Sequence, residues 1–120
     1  MAAYRDQIER AIATLLGRGF TVVGVLEAPK ALGDTELVLA SSALKLRFIS
    51  DRGQTFVDVA RTDAPGWYDL SEVLVASGQR LAEGPWDTPD LAVAEFQRNE
   101  AVVGQLLADD ARRARLNVRR

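Results

Sequence analysis

The alternation of apolar and polar residues predicts a β-hairpin over residues 43–60, and the other segments are arranged around it. Its first strand carries the run LKLRFI, in which apolar residues recur at every second position. This spacing is typical of a strand with one buried face. Gly53 supplies the positive φ that a tight turn needs, and residues 55–60 return as a strand rich in Thr, Val and Phe.

Two registers are open for this hairpin. In the first, Phe48 is opposite Val57 and Arg47 is opposite Asp58, which places apolar residues together on one face. The exposed charge pair on the other face would then contribute about 0.2–1 kcal/mol. In the second register, a three-residue loop with a bulge at the glycine places Phe48 opposite Phe56 and Asp58 opposite a core leucine. Turn chemistry favours the second register, and the side-chain pattern favours the first, which we expect.

The N-terminal segment has the period of an amphipathic α-helix. Apolar residues form one stripe, with charged residues outside it. Gly17 and Gly19 are typical of a helix C-terminus. The residues of the stripe are Tyr4, Ile8, Ala11, Ile12, Leu15 and Leu16.

Two further strands precede the hairpin. Residues 20–26 form a short and strongly apolar strand candidate, and residues 36–40, which begin with Glu36, form a second strand candidate. A loop over residues 27–34, with Pro29 and Gly33, separates them. We therefore expect a four-stranded antiparallel meander with the first helix packed on one face.

The second half of the chain predicts two or three helices. Asp69 is placed to cap a short helix that ends at Gly78, with Glu72 at the capping-box position. The sequence Thr-Pro-Asp from Thr88 predicts another helix start, and the helical pattern continues to about Leu116. Its apolar stripe weakens near Asn99, so one kinked helix and two separate helices are both open. The predicted fold class is α+β, with residues 1–120 forming a single domain.

The absence of histidine and cysteine narrows the possible chemistry. The 120 residues contain neither, which excludes disulfides, thiolate or imidazole metal sites, and Ser–His–Asp triads. No apolar run has the roughly 18–20 residues of a membrane span, and the N-terminus lacks the layout of a secretory signal. We therefore predict no cofactor, no metal site and no membrane association, and we expect a cytoplasmic location.

The charge is unevenly distributed along the chain. The net charge is −2, but five arginines lie within residues 112–120, and residues 1–111 carry 10 basic against 17 acidic groups, a net of −7. We expect residues 112–120 to be a basic tail that frays into solvent. Nucleic-acid binding is not expected, because the acidic body would repel phosphate.

The aromatic and acidic residues in and beside two loops, residues 61–68 and 83–87, are the candidate partner-binding site. Trp and Tyr are frequent in interface hot spots, and an acidic surface around them would suit a basic protein partner. Each residue also has a purely structural explanation, because large aromatic residues are usually buried and acids often begin helices. The candidates are Trp67, Tyr68, Asp69, Glu72, Trp86 and Asp87.

No catalytic residues are predicted. Asp58 with Lys45 and Arg47 is explained as a cross-strand surface pair. Asp87 and Asp90 could do acid–base chemistry or hold Mg²⁺ in principle, but no second feature fixes their geometry. The chain is therefore predicted not to be an enzyme.

The stretch from Leu15 to Gly78, which includes LVLASSALKLRFISDRGQTFVDVA and WYDLSEVL, loosely resembles small bacterial α+β proteins. Some of these are immunity proteins of toxin systems. The resemblance lies in the layout of helix, meander and aromatic helix entry, and it carries no functional residue. The leading hypothesis is a non-enzymatic protein-binding domain of the inhibitor or immunity type that occludes a partner, and its supports are the small size, the missing catalytic residue types, the acidic body and the aromatic loops. The alternatives are a homo-oligomeric structural or regulatory module, which would associate through its C-terminal helices or an open sheet edge, and a small carboxylate-dependent enzyme.

Overall fold

A computed structural model describes residues 2–27, 35–51 and 53–119. The fold is α+β, as predicted, with an N-terminal helix, an antiparallel sheet and C-terminal helices. Its elements, in chain order, are α1 (Ala2–Leu16), β1 (Thr21–Glu27), β2 (Thr35–Ala40), β3 (Leu44–Asp51), β4 (Gln54–Arg61), β5 (Trp67–Asp69), α2 (Leu70–Ala76), α3 (Pro89–Arg98), α4 (Glu100–Ala108), α5 (Asp110–Arg113) and β6 (Val118–Arg119).

The sheet is larger than the predicted four strands. Strands β1 to β5 form a five-stranded antiparallel meander, and the two-residue strand β6 pairs with β5 at its edge. The prediction of four strands was wrong because β5 has three residues and β6 has two, too few to show a period-2 pattern. Most of the predicted loop over residues 27–34 lies outside the described residues, while residue 27 ends β1.

Strands β3 and β4 pair in the first of the two predicted registers. Phe48 is opposite Val57, and Arg47 is opposite Asp58. Gly53 lies in the turn with φ of 81°, the left-handed conformation that only glycine adopts without strain. The apolar pattern therefore determines the register, and the turn accommodates it.

The core lies between one face of the sheet and the helices. Residues of the predicted α1 stripe are buried in it, namely Ile8, Ala11, Ile12 and Leu15. The ring of Phe20 contacts the ring of Phe96 edge-on, with centroids 5.9 Å apart, which links the start of β1 to α3. Leu16 was predicted to be part of the stripe, but it is 45% exposed, because it is the last residue of α1. The side chain of Tyr4 lies outside the described residues.

The predicted helix starts at Asp69 and Thr88 are confirmed. The Asp69 carboxylate accepts a hydrogen bond from the backbone of the first turn of α2, and the Thr88 hydroxyl accepts one from the backbone N–H of Leu91. The C-terminal helical region is divided into three described helices, with breaks at Asn99 and Asp109. Asn99 ends α3 with a bond from its side-chain amide to the carbonyl of Glu95, and it does not cap α4.

Residues 112–119 were predicted to be part of a tail that frays into solvent, but several of them contact the body. Leu116 is buried in the core, and the guanidinium of Arg113 donates a hydrogen bond of 2.6 Å to the carbonyl of Leu107. Val118 is opposite Tyr68 in the pairing of β6 with β5. These contacts fix the outer edge of β5.

The backbone conformation of Gly53 in the hairpin turn can be tested by substitution. Replacing Gly53 with alanine should lower the free energy of unfolding by about 1–2 kcal/mol, because a Cβ is disfavoured at positive φ. Gly104 is the matched control, since it lies within α4 and a Cβ there would meet no atom within 4 Å. Gly104→Ala should raise stability by about 0.5–1 kcal/mol. Urea denaturation measures the free energy of unfolding of both variants. Equal effects of the two substitutions would contradict a positive φ at Gly53.

Candidate functional site

The six predicted site residues lie along two adjoining segments. Three belong to β5, one to the first turn of α2, and two to the loop before α3. The segments meet at Ser71, whose hydroxyl donates to the Asp69 carboxylate at 2.6 Å and accepts from the backbone N–H of Gly84 at 3.1 Å. The two loops therefore adjoin, as a shared aromatic and acidic surface would require. Their side chains, however, point to different parts of the fold.

Trp67 lies on the face of the sheet that is opposite the core. Tyr68 is paired with Val59 and packs against the core, so the alternation of β5 places Trp67 on the other face. Its ring centroid is 4.6 Å from Nζ of Lys45 and 4.7 Å from Cζ of Arg47. Both cations are within the range of a cation–π interaction. The half-buried Trp67 thus already has partners within the chain.

The ion pair beneath this ring joins the two predicted residues, Arg47 and Asp58, but its burial differs from the prediction. Nε and Nη2 of Arg47 donate to Oδ2 of Asp58 at 3.1 and 2.7 Å. The pair was predicted to be exposed, but Asp58 is fully buried and Arg47 is 9% exposed. That prediction was wrong because the sequence pattern does not show that Trp67 reaches across β4 to Arg47. A buried pair of this kind is strongly destabilised when one partner is removed.

The acidic candidates at the start of α2 have structural roles. One oxygen of Asp69 accepts from the backbone N–H and the hydroxyl of Ser71, at 2.7 and 2.6 Å. The carboxylate of Glu72 accepts from the backbone N–H and the side-chain amide of Asn117, at 3.2 to 3.4 Å. These two acids therefore cap a helix and hold the C-terminal segment.

Trp86 is part of the core and not of an exposed aromatic loop. It is 6% exposed and belongs to the core cluster, and its backbone N–H donates to the carbonyl of Thr55 at 2.7 Å. The guanidinium of Arg80 lies 4.0 Å from its ring centroid. Trp67 and Trp86 consequently belong to opposite faces of the sheet. Of the six candidates, Asp87 is exposed.

A shallow groove runs beside Trp86 and Asp87. Its volume is about 330 Å³, and Leu81 and Leu91 contribute exposed apolar side chains to it. Arg80, Asp87 and Glu95 also line the groove, so its charges are mixed. This groove has neither a dominant charge nor a convergent set of catalytic groups.

Among the side chains that the structure describes, four of the exposed large apolar ones belong to β1 and to the end of α1. Val22, Val23 and Val25 are 44%, 61% and 58% exposed, and Leu16, the last residue of α1, is 45% exposed and precedes β1 by the turn of residues 17–20. We call these four residues the β1 patch. β1 is the first strand of the sheet order, and no described strand pairs with its outer side. Sequence reasoning missed this surface, although the first strand of a meander necessarily lies at an edge of the sheet.

Comparisons with known proteins find no relationship: no protein-family model, no curated protein and no solved structure matches the chain. Within residues 2–27, 35–51 and 53–119, the acidic side chains form no group of three or more that could hold a metal ion. No helix in this part of the chain has the length and apolar character needed to cross a membrane. The proposals below therefore rest on the geometry of the surfaces.

The buried ion pair leads to a first prediction for this region. Asp58→Ala should lower the free energy of unfolding by about 3–5 kcal/mol, because it leaves the Arg47 charge buried without its carboxylate. The exposed pair of Arg61 and Asp63, 2.8 Å apart, is the matched control, and Asp63→Ala should cost about 1 kcal/mol or less. Denaturant unfolding of the two variants checks this, and similar losses would show that Trp67 does not shield the pair.

Trp86 leads to a second prediction. Its indole Nε1 is buried and has no acceptor among the described residues. Trp86→Phe removes that donor and keeps most of the ring, so we expect a change of about 1 kcal/mol or less. Trp86→Ala should cost about 3–5 kcal/mol, since it leaves a cavity in the core. Thermal and denaturant unfolding distinguish the two variants, and a large loss in both would indicate that Nε1 has a partner.

Proposed function

We propose that this chain is a non-enzymatic protein-binding domain of the inhibitor or immunity type, which docks a partner protein on the β1 patch. The observation that carries the proposal is the edge strand β1, on which three valines are exposed and residues 21–26 carry no charge. Exposed apolar groups of this kind are typical of protein interaction surfaces.

The backbone of β1 adds to the apolar contact. An edge strand presents N–H and C=O groups to the outside, and an extended segment of a partner can pair with them. The backbone bonds then contribute affinity, while the valines contribute apolar contact and set the alignment. An inhibitor that docks through such an edge would cover the partner's surface beside it.

The charge of the domain favours a basic partner. Residues 1–111 have a net charge of −7, and complementary charge raises the rate at which two proteins meet. The β1 patch itself contains no charged residue, so charge would guide the approach and apolar contact would hold the complex.

The aromatic loops support this choice of surface indirectly. Trp67 contacts Lys45 and Arg47, and Trp86 is buried, so neither ring is freely presented to a partner. A docking site centred on both rings would require the sheet to open around them. We therefore transfer the proposed docking surface from the predicted residues to the β1 patch.

The test is a comparison of three forms of the protein. Tagged wild-type protein, the double variant Val23→Lys/Val25→Lys and the control Leu81→Lys are used as baits in a lysate of the source cells. Any protein retained by the wild type is identified, purified and titrated by calorimetry. We expect the double variant to weaken the dissociation constant by about 100-fold or more, because two lysine charges would be desolvated in the interface.

Leu81 is a suitable control because its side chain is fully exposed and lies in the loop that leads to the groove. Leu81→Lys should bind as the wild type does, and circular dichroism should show that all three forms are folded. A purified partner that binds the double variant with unchanged affinity would place the docking surface elsewhere. If the bait retains only further copies of this chain, the inhibitor role is wrong.

A further inference from the structure

We infer that the groove beside Trp86 binds a monoanionic carboxylate attached to a small apolar group. The carboxylate pairs with the guanidinium of Arg80, and the apolar group lies against Leu81 and Leu91. The groove has a volume of about 330 Å³, which is within the range of small-molecule sites. None of its lining residues belongs to the β1 patch, so the inference is independent of the proposed docking of a protein.

The guanidinium of Arg80 lacks an acceptor within the part of the chain that the structure describes. Its Nη1 is buried without a hydrogen-bond partner, and none of the described carboxylates pairs with it. The other described arginines that are buried or half-buried differ in this respect. Arg47, Arg61 and Arg113 each donate to a carboxylate of the chain, at 2.6 to 2.8 Å. A sheltered guanidinium without such a partner favours an anionic acceptor from outside the chain.

The ring of Trp86 holds this guanidinium at the groove. Cζ of Arg80 lies 4.0 Å from the ring centroid, within the range of a cation–π interaction. Because Nη1 is the covered nitrogen, a carboxylate in the groove meets the edge formed by Nε and Nη2. Such an edge donates two parallel hydrogen bonds to a carboxylate. The buried indole Nε1 of Trp86 is also without an acceptor among the described residues, so two donors of one contact are unpaired.

Backbone hydrogen bonds fix both sides of this contact. Arg80 follows a turn in which Gly78 has φ of 80° and the N–H of Gln79 donates to the carbonyl of Leu74 at 2.8 Å. The N–H of Trp86 donates to a carbonyl of β4 at 2.7 Å. The site is therefore formed before a ligand arrives, which reduces the ordering that binding would otherwise require.

The walls of the groove favour a single negative charge on an apolar body. Leu81 is fully exposed and Leu91 is 48% exposed, and a bound apolar group would remove part of both from water. Asp87 and Glu95 also line the groove. Asp87 is exposed to solvent, and Glu95 accepts a hydrogen bond from Arg98. These two acids disfavour a ligand with two negative charges, because like charges repel, so a carboxylate suits the site better than phosphate.

A titration followed by NMR tests the site on the intact chain. The chain has two tryptophans and thus two indole N–H signals, and Trp86→Phe identifies the signal of Trp86. Phenylacetate joins a carboxylate to an apolar ring. It should shift this signal saturably with a dissociation constant on the order of 1 mM, as expected for a ligand of about ten heavy atoms. The signal of Trp67 should not move. The absence of a saturable shift at Trp86, or an equal shift at Trp67, would overturn the inference.

Two matched ligands separate the charge from the apolar group. 2-Phenylethanol keeps the ring without the carboxylate, so it should bind at least about 10-fold more weakly, because the charge-assisted hydrogen bonds are lost. Inorganic phosphate carries charge without an apolar group and should also bind more weakly. Equal affinity for phenylacetate and 2-phenylethanol would reduce the site to an apolar contact. That result, or a preference for phosphate, contradicts the inference.

Substitution of Arg80 tests the assigned donor. Arg80→Leu leaves an apolar side chain over the ring and should weaken phenylacetate binding by about 10-fold or more. Arg80→Lys keeps the charge but not the planar fork, so it should also bind more weakly. Arg10→Leu is the matched control, because it removes the same charge from an exposed position of α1, and it should bind as the wild type does.

Circular dichroism shows whether each variant is folded, and if Arg80→Leu is not, Arg80→Lys and the comparison of ligands decide. Unchanged binding by a folded Arg80 variant, or an equal loss in Arg10→Leu, would show that Arg80 does not hold the carboxylate.

The carboxylate has two possible sources, a free organic acid and the C-terminus of a peptide. N-acetyl-alanyl-leucine and its C-terminal amide distinguish them. If the peptide acid binds more tightly than phenylacetate, the source is a peptide C-terminus, and if it binds more weakly, the source is a small acid. Equal binding of the peptide acid and its amide would count against recognition of a carboxylate and so against the inference.

Discussion

The buried ion pair between Arg47 and Asp58 is the interaction on which the rest of the sheet depends. A slip of one residue between β3 and β4 would move Phe48 out of the core and separate two buried charges, and each change is costly. Trp67 covers Arg47 from β5, so the pair also fixes the position of the next strand. Because α2 begins at the residue after β5, the same contact places the helix that closes this part of the core.

Local patterns account for the elements that could be predicted. The alternation in β3 and β4 gave the correct register, because a different pairing would oppose Asp58 to a leucine. The caps at Asp69 and Thr88 could be recognised because a short polar side chain satisfies backbone N–H groups within its own helix turn. The stripe in α1 placed the helix against the core. In each case the deciding interaction lies within one element or between adjacent strands.

The features that could not be predicted depend on residues far apart in the chain. β6 exists because a segment near residue 118 returns to β5, and β5 is too short to be recognised without that context. The ion-pair partner of Asp58, Arg47, lies against the ring of Trp67, which follows a loop after β4. Trp86 enters the core by pairing with Thr55. An apolar residue type indicates that burial is favourable, but only the tertiary arrangement decides which apolar residues are covered.

The β1 patch is a further case in which the tertiary arrangement decides which apolar residues are covered, and it also bears on function. The sequence shows a valine-rich strand, and its place as the first strand of the meander puts it at an edge of the sheet with three valines exposed. The opposite edge shows that this chain contains the usual protection, a short strand with an arginine. A single lysine in β1 would protect the first edge equally well without disturbing the core, since these valines contribute little to it. The difference between the edges therefore favours contact with another protein over a requirement of folding.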